Sequence, residues 1–192
     1  FALADPFVAL VYLRGAFGES DARAVADTLR VFSLAVPAWI AQMIAVRPFY
    51  ARRDFWRPML LGTAIALLAI PLYLVLGPPF GARGLAGAGV IAITANALAT
   101  LALARRLHGA PHFAPLASTA LRAILISLPA AAAAFYCQPA LGGAIGSLVD
   151  LAVGGIVFAL LAIAGVLLAG DAPMRETLSE AWGSLARRLR TA

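Results

Sequence analysis

Two histidines stand at a spacing that could hold a metal ion. His108 and His112 are four residues apart, and on a helix this offset places two imidazoles on one face, where a zinc ion can bind both. Pro111 and the Gly109–Ala110 pair lie between them and favour a loop instead. The sequence therefore predicts a solvated loop at these histidines, with no metal ion and no cofactor.

Other reactive side chains are few and isolated. Cys137 is the single cysteine, so an internal disulfide is excluded, and it has no cysteine or histidine neighbour at metal-ligand spacing. Ser147 and Asp150 open a long apolar run with the spacing of a helix capping box. Asp150 is therefore predicted to cap a helix rather than to carry protons inside a membrane. With no nucleophile elbow, phosphate-binding loop or paired intramembrane carboxylates, no catalytic residues and no enzyme activity are predicted.

The elements that position these residues must lie in lipid. Apolar residues make up 62% of the chain and charged residues 12%, whereas about a quarter of the residues of a soluble domain are charged. Helices or closed barrels satisfy the backbone inside a bilayer, and unbroken Ala- and Leu-rich runs favour helices over the alternating pattern of a barrel. The predicted fold class is all-α, a polytopic transmembrane helix bundle.

Five full spans follow one shorter apolar stretch. Residues 1–13 are too few for a full span, contain Asp5 and Pro6, and are predicted to be the end of a span that begins outside this sequence. A proline inside a span removes a backbone hydrogen bond and bends the helix. We therefore expect helix bending at Pro37, Pro71 and Pro129. The predicted full spans are 29–46, 59–76, 85–104, 121–137 and 148–169.

The arginines predict the orientation of the bundle. All fifteen basic residues are arginine and the net charge is +6, but they fall between the apolar runs, as the positive-inside rule requires, so no nucleic-acid partner is needed. Loops 47–57 and 105–106 and the tail 171–192 hold ten arginines, against four in the alternate loops. The C-terminus is therefore predicted to be cytoplasmic. The tail repeats apolar residues at helical spacing, which predicts an amphipathic helix that either binds anionic lipid or packs beneath the bundle.

Several short motifs follow one another in a specific order. Each has a structural interpretation of its own: a turn at Gly15, an anchor at Arg14, and an aromatic belt at Phe49 and Tyr50. Together they resemble the second half of the MurJ/MviN family of lipid II flippases, over about residues 6–106. The motifs that carry the resemblance are Arg14-Gly15-Ala16-Phe17, Val36-Pro37-Ala38, Phe49-Tyr50-Ala51-Arg52-Arg53-Asp54 with Pro58, Gly84-Leu85-Ala86 and Asn96-Ala97-Leu98.

That resemblance implies a function and a domain plan. Members of the family have fourteen spans in two lobes of the MATE-like exporter superfamily plus a final pair of helices, and they move undecaprenyl-linked peptidoglycan precursor outward across the bacterial inner membrane. Residues 1–106 would belong to the second lobe, residues 107–170 would form the final pair of spans, and 171–192 would form a cytoplasmic amphipathic tail. The alternatives are an exporter of polysaccharide-linked lipids or drugs from the same superfamily, or a non-transporting scaffold derived from it.

The resemblance also implies a cationic substrate site. The main cavity arginines of the family lie upstream of this sequence, so Arg47, Arg52 and Arg53 are the candidates here to attract the substrate phosphates at the cytoplasmic mouth. The alternative is that they act only as topology determinants of a cytoplasmic loop. Met43 stands near a position where the family often has lysine, while Pro71 and Gly89 replace polar residues of some relatives. Those departures make sodium coupling doubtful and leave proton or membrane-potential coupling open. Asn96 is expected to form an interhelical hydrogen bond.

Overall fold

A computed structural model describes residues 1–12, 17–109, 113–139 and 143–190 of the chain. These residues form α-helices joined by short connections, and no strand occurs among them, as the sequence predicts. The helices form two compact units, one containing the first four and the other the last three. They are α1 (Ala4–Tyr12), α2 (Glu19–Ser33), α3 (Val36–Ala51), α4 (Trp56–His108), α5 (Phe113–Tyr136), α6 (Gly143–Ala169) and α7 (Ala172–Arg190).

Four helical segments of the described chain are long and apolar enough to cross a membrane: Glu19–Ala51, Trp56–His108, Ala117–Tyr136 and Ile145–Ala169. Their large apolar side chains are outside the bundle, with Leu68 77% and Leu168 84% exposed. Water would penalise this arrangement, whereas hydrocarbon chains solvate such side chains. The predicted class, a polytopic helical membrane bundle, is confirmed.

Helix α4 contains two of the predicted spans, folded against each other. Gly81 breaks the helix with φ 56° and ψ −137°. A Cβ atom added at Gly62 would lie 3.8 Å from the Asn96 side chain, although 34 residues of straight helix would separate the two by about 50 Å. Residues 56–80 and 82–108 are therefore two antiparallel limbs, which contain the predicted spans 59–76 and 85–104.

Helices α2 and α3 together form the helical segment Glu19–Ala51, which we call the α2–α3 rod. This rod is longer than the single span predicted over 29–46. The helix is interrupted at Leu34 and Ala35, and Pro37 lies in the first turn of α3. A proline there has no intrahelical acceptor to lose. The interruption lies directly before Pro37, within the long helical segment Glu19–Ala51, at the place where the sequence predicts bending. Pro71 and Pro129 do lie inside helices, within α4 and α5.

The short helix α1 packs against α2. Ala4 and Val8 of α1 are buried against Ala22 and Ala26 of α2, with Phe17 beside this cluster. Small alanine side chains let the two backbones approach closely, as is usual between membrane helices. Asp5 at the start of α1 pairs with Arg30 near the end of α2. Helix α1 therefore runs antiparallel to α2, the polar first half of the α2–α3 rod.

In the second unit, α6 begins earlier than the sequence predicted. It starts at Gly143, so Ser147 and Asp150 lie within the helix, and the Ser147 hydroxyl donates to the Gly143 carbonyl oxygen at 3.2 Å. The prediction that Asp150 caps the helix is wrong. The residues from Ala144 to Val149 are already helical, and Asp150 is buried at 7% exposure.

Helices α5 and α6 are in close contact, and α7 is attached to them at its start. A Cβ at Gly165 would meet Ile126 at 2.5 Å, which shows how tightly the two spans pack. Asp171, between α6 and α7, forms an ion pair with Arg122 of α5 and accepts a hydrogen bond from Thr119 at 2.9 Å. The predicted C-terminal helix is present as α7.

Candidate anion-binding site

The three predicted substrate-binding arginines are grouped around the C-terminal end of α3. Arg47 lies in its last turns, while Arg52 and Arg53 form the turn that follows. All three side chains are exposed. Within the described part of the chain, none of them has an acidic partner, in contrast to Arg23, Arg30, Arg57 and Arg83. Their guanidinium groups are therefore available to an anion from outside this bundle.

The backbone of the turn fixes where Arg53 stands. The Asp54 amide donates to the Phe49 carbonyl at 3.0 Å, and the Arg53 amide donates to the Tyr50 carbonyl at 3.1 Å. These two bonds form a Schellman motif, in which the residue after the helix cap adopts the left-handed conformation. Arg53 occupies that position with φ 58°, where glycine is usual. An arginine is therefore held in a conformation that an L-residue rarely adopts.

Asp54 completes the turn and leads into α4. Its carboxylate forms an ion pair with Arg57 at 3.0 Å, and the rings of Tyr50 and Phe55 lie 5.5 Å apart across the turn. The carboxylate is thus directed to Arg57 rather than to Arg52 or Arg53. The predicted Phe-Tyr-Ala-x-x-Asp motif is therefore a compact helix–turn–helix connection, and its two middle arginines have no acidic partner among the described residues.

Phe49 joins this turn to the end of α4. Its side chain is fully buried, and its ring meets the His108 ring edge-on, with centroids 4.8 Å apart. His108 is the last residue of α4, so the prediction of a loop at His108 is wrong, and His112 lies outside the described residues. A search of the described residues finds no group of three or more metal-binding side chains.

Both helix ends at this site carry arginine. Phe32 of α2 lies beside Gly89 of α4, and further along the same direction Phe49 lies beside His108. The α2–α3 rod and the second limb of α4 therefore run parallel, and their C-terminal ends meet. This end of the first unit includes six arginines and one carboxylate: Arg47, Arg52, Arg53, Arg57, Arg105, Arg106 and Asp54.

Several charged side chains at the opposite end are paired with each other. Asp27 of α2 forms ion pairs with Arg30 of the same helix and with Arg83 of α4, and Arg30 also pairs with Asp5 of α1. A pocket of about 450 Å³ lies beside this network, lined by Glu19 and other charged residues. The sequence does not reveal the two long-range pairs, since ion pairs 25 and 56 positions apart leave no local pattern.

The remaining motif residues have structural positions. Phe17 packs beside the α1–α2 cluster, and its ring lies 6.0 Å from that of Tyr12. Asn96 faces Gly62 across the α4 hairpin, but its buried Oδ1 atom has no hydrogen-bond partner among the described residues, so the expected interhelical bond is not made through that atom. Arg14 and Gly15 lie outside the described residues.

Comparison with known families decides the assignment of the chain. The family model described as "Lipid II flippase MurJ" matches residues 1–182. The chain belongs to the MurJ lipid II flippase family. The match extends beyond the motif region at 6–106, so α5 and α6 belong to the family region as well. Together with its membrane-length helices, this assignment makes the protein a multi-pass membrane protein.

Three curated relatives illustrate how much of the family this chain represents. It is 30% identical over 96 residues to a probable lipid II flippase MurJ of Rhizobium meliloti (strain 1021), covering 50% of this chain and 18% of the relative. A probable lipid II flippase MurJ of Rhizobium tropici is 32% identical over 107 residues, covering 55% and 20%. The corresponding protein of Bdellovibrio bacteriovorus is 25% identical over 125 residues, covering 65% and 24%. The matched regions thus span about a fifth of these relatives.

Proposed function

We propose that this chain acts as part of a flippase that moves lipid II, the undecaprenyl-linked peptidoglycan precursor, across the bacterial inner membrane. Membership of the family named for that activity carries the proposal. Moving a charged, sugar-bearing head group through hydrocarbon requires a polar path, while the polyprenyl tail can stay in lipid. Alternating access between two lobes provides such a path. This is transport, with no chemical change to the substrate and no cofactor.

The end of the first unit where α3 and α4 finish, which we call the arginine end, is the proposed contact for the substrate's pyrophosphate. Its arginines are Arg47, Arg52, Arg53, Arg57, Arg105 and Arg106. Arg47, Arg52 and Arg53 are exposed and lack acidic partners in the described chain. Guanidinium groups bind phosphate oxygens in a bidentate manner. Because these three side chains form no ion pair within the described chain, their full positive charge is available to the ligand. The arginines at the other end, such as Arg30 and Arg83, are neutralised by carboxylates. The two ends therefore differ in their attraction for anions.

The same asymmetry supports an orientation. Cytoplasmic loops of bacterial membrane proteins are rich in basic residues, so the arginine end is proposed to face the cytoplasm. The C-terminus is proposed to lie on that side too, because α7 contains Arg175 close to its start and three more arginines near its end. Trp182 of α7 is 73% exposed. A basic amphipathic helix with an exposed tryptophan suits the surface of an anionic bilayer, and anionic lipids are therefore proposed as partners of α7.

Complementation tests the proposed function. The complete reading frame that encodes this chain is expressed in bacteria depleted of their own lipid II flippase, next to a triple variant in which Arg47, Arg52 and Arg53 are each replaced by Gln. Growth of the wild type and failure of the triple variant are expected. Arg23→Gln is the matched control, because Arg23 is an exposed arginine at the opposite end, and it should grow.

Two further outcomes separate the parts of the proposal. The triple variant must be inserted in the wild-type orientation, since loss of the same charges can change topology. Normal growth of a correctly inserted triple variant would remove the arginine site while keeping the flippase assignment. Failure of the wild-type protein itself would contradict lipid II transport and favour an exporter of other lipid-linked substrates or drugs, or a scaffold.

A further inference from the structure

The two helix ends at the arginine end of the first unit both finish with a residue in the left-handed conformation. Helix α3 ends in a turn with Arg53 in the left-handed conformation, and α4 ends at Gly109, which has φ 69° and whose amide donates to the Arg105 carbonyl at 2.9 Å. Each C-terminal end has a negative partial charge of about half an elementary charge, which favours nearby cations. Arg52 and Arg53 stand at the first end and Arg106 at the second.

One ring contact brings these two ends together. Phe49 supplies both parts of the connection, because its carbonyl oxygen anchors the turn that holds Arg53 and its buried ring meets His108 at 4.8 Å. Arg106 is two residues before His108, less than one helical turn along α4. Arg53 and Arg106 are thus tied to the two partners of a single aromatic contact.

His108 takes part through its ring rather than through its nitrogens. Both ring nitrogens are buried and have no hydrogen-bond partner among the described residues. The edge-on geometry, with an interplanar angle of 78°, is a preferred arrangement for two aromatic rings. His108 therefore contributes the shape of its ring at this position. A ring without nitrogen atoms can make the same contact with Phe49.

We propose that the Phe49–His108 contact joins both arginine-bearing helix ends into one anion-binding surface for a diphosphate, so that Arg106 belongs to the same site as Arg52 and Arg53. His108 is a positioning residue of this site and does not touch the ligand. This inference rests on the proposed function, since it adds the arginine-bearing end of α4 to the pyrophosphate contact. The exposed side chain of Arg106 has no acidic partner within the described chain, and it is therefore free to take part.

The number of pyrophosphate-binding sites tests whether the two arginine-bearing helix ends form one surface. Inorganic pyrophosphate is titrated at low ionic strength into the purified protein encoded by the complete reading frame, in the wild-type, Arg53→Gln and Arg106→Gln forms. One class of site is expected, weakened roughly threefold by either substitution, the scale of an exposed charge pair. Arg23→Gln at the opposite end should leave the isotherm unchanged. Unchanged pyrophosphate binding in Arg106→Gln together with weakened binding in Arg53→Gln would overturn this inference and leave the proposed site at Arg47, Arg52 and Arg53 standing.

Two substitutions of His108 test its positioning role. His108→Phe keeps an aromatic ring against Phe49, whereas His108→Ala removes it. Pyrophosphate affinity is expected to be retained in His108→Phe. It is expected to fall in His108→Ala at every pH tested. Loss of affinity in both variants would show that the imidazole itself contacts the anion and would overturn the positioning role. Absence of pyrophosphate binding by the wild type would overturn the arginine site and this inference together.

Discussion

Asp27 of α2 forms an ion pair with Arg83, 56 positions further along the chain and two residues after the Gly81 turn of α4. The same carboxylate pairs with Arg30 at 2.8 Å, and Arg30 reaches Asp5 of α1. Four charged side chains thus connect α1, α2 and the α4 turn. Because membrane helices gain little from the hydrophobic effect when they associate, such polar contacts help to set their positions.

A double-mutant cycle measures the Asp27–Arg83 contact. Thermal unfolding of the detergent-solubilised protein is compared for Asp27→Asn, Arg83→Gln and the double variant. We expect a coupling free energy of about 0.5–1 kcal/mol at low salt, at the upper end for exposed pairs because Asp27 is partly buried. The Glu19–Arg23 pair, whose side chains are both 77% exposed, is the matched control and should show less coupling. Equal coupling in the two pairs would contradict a special role for the network.

Gly84 is predicted to be essential to the α4 hairpin. A Cβ atom at this position would lie 1.9 Å from the Leu76 carbonyl oxygen on the other limb, and backbone atoms cannot move away as a flexible side chain can. Gly84→Ala should therefore destabilise the protein by about 1–3 kcal/mol, as overpacking does. Gly87→Ala is the control, because a Cβ there meets nothing within 4 Å. Similar unfolding temperatures for the two variants would contradict the close approach of Gly84 to Leu76 in the α4 hairpin.

Arg53 and Arg52 should respond in opposite directions to replacement by glycine. Arg53 has φ 58°, so Arg53→Gly relieves a conformation that costs an L-residue about 1 kcal/mol and should raise or maintain stability. Arg52 has φ −101°, where glycine brings no relief and adds disorder to the unfolded chain. Arg52→Gly should therefore lower the unfolding temperature. A fall of the same size in both variants would contradict the left-handed turn at Arg53.

The sequence predicted most of the architecture because the driving pattern is local. Apolar runs of bilayer length mark the spans, and the two limbs of α4 lie where the runs 59–76 and 85–104 predict them. Asp150 was predicted wrongly, because a polar pair before an apolar run has the same pattern whether the helix begins at it or four residues earlier. The Phe49–His108 contact could not be predicted at all, since it depends on the parallel course of two helices whose sequences share no pairing signal.

Cysteine labelling checks the proposed orientation. The exposed native Cys137 is first replaced by serine, and single cysteines are then introduced at Arg53 and at Ala82, an exposed residue beside the Gly81 turn. On intact cells, an impermeant thiol reagent should label Ala82→Cys and leave Arg53→Cys unlabelled until the membrane is opened. The reverse pattern would place the arginine end outside the cytoplasm, against the positive-inside expectation.

The most direct test of lipid II transport measures where lipid II resides. Cells depleted of their own flippase express the complete reading frame that encodes this chain, and an impermeant lipid II-cleaving enzyme is added to their spheroplasts. Most lipid II is expected to become cleavable, while cells expressing a correctly inserted variant with Arg47, Arg52 and Arg53 all replaced by Gln should keep it protected. Lipid II that stays protected although the wild-type protein is present in the inner membrane would contradict the proposed function.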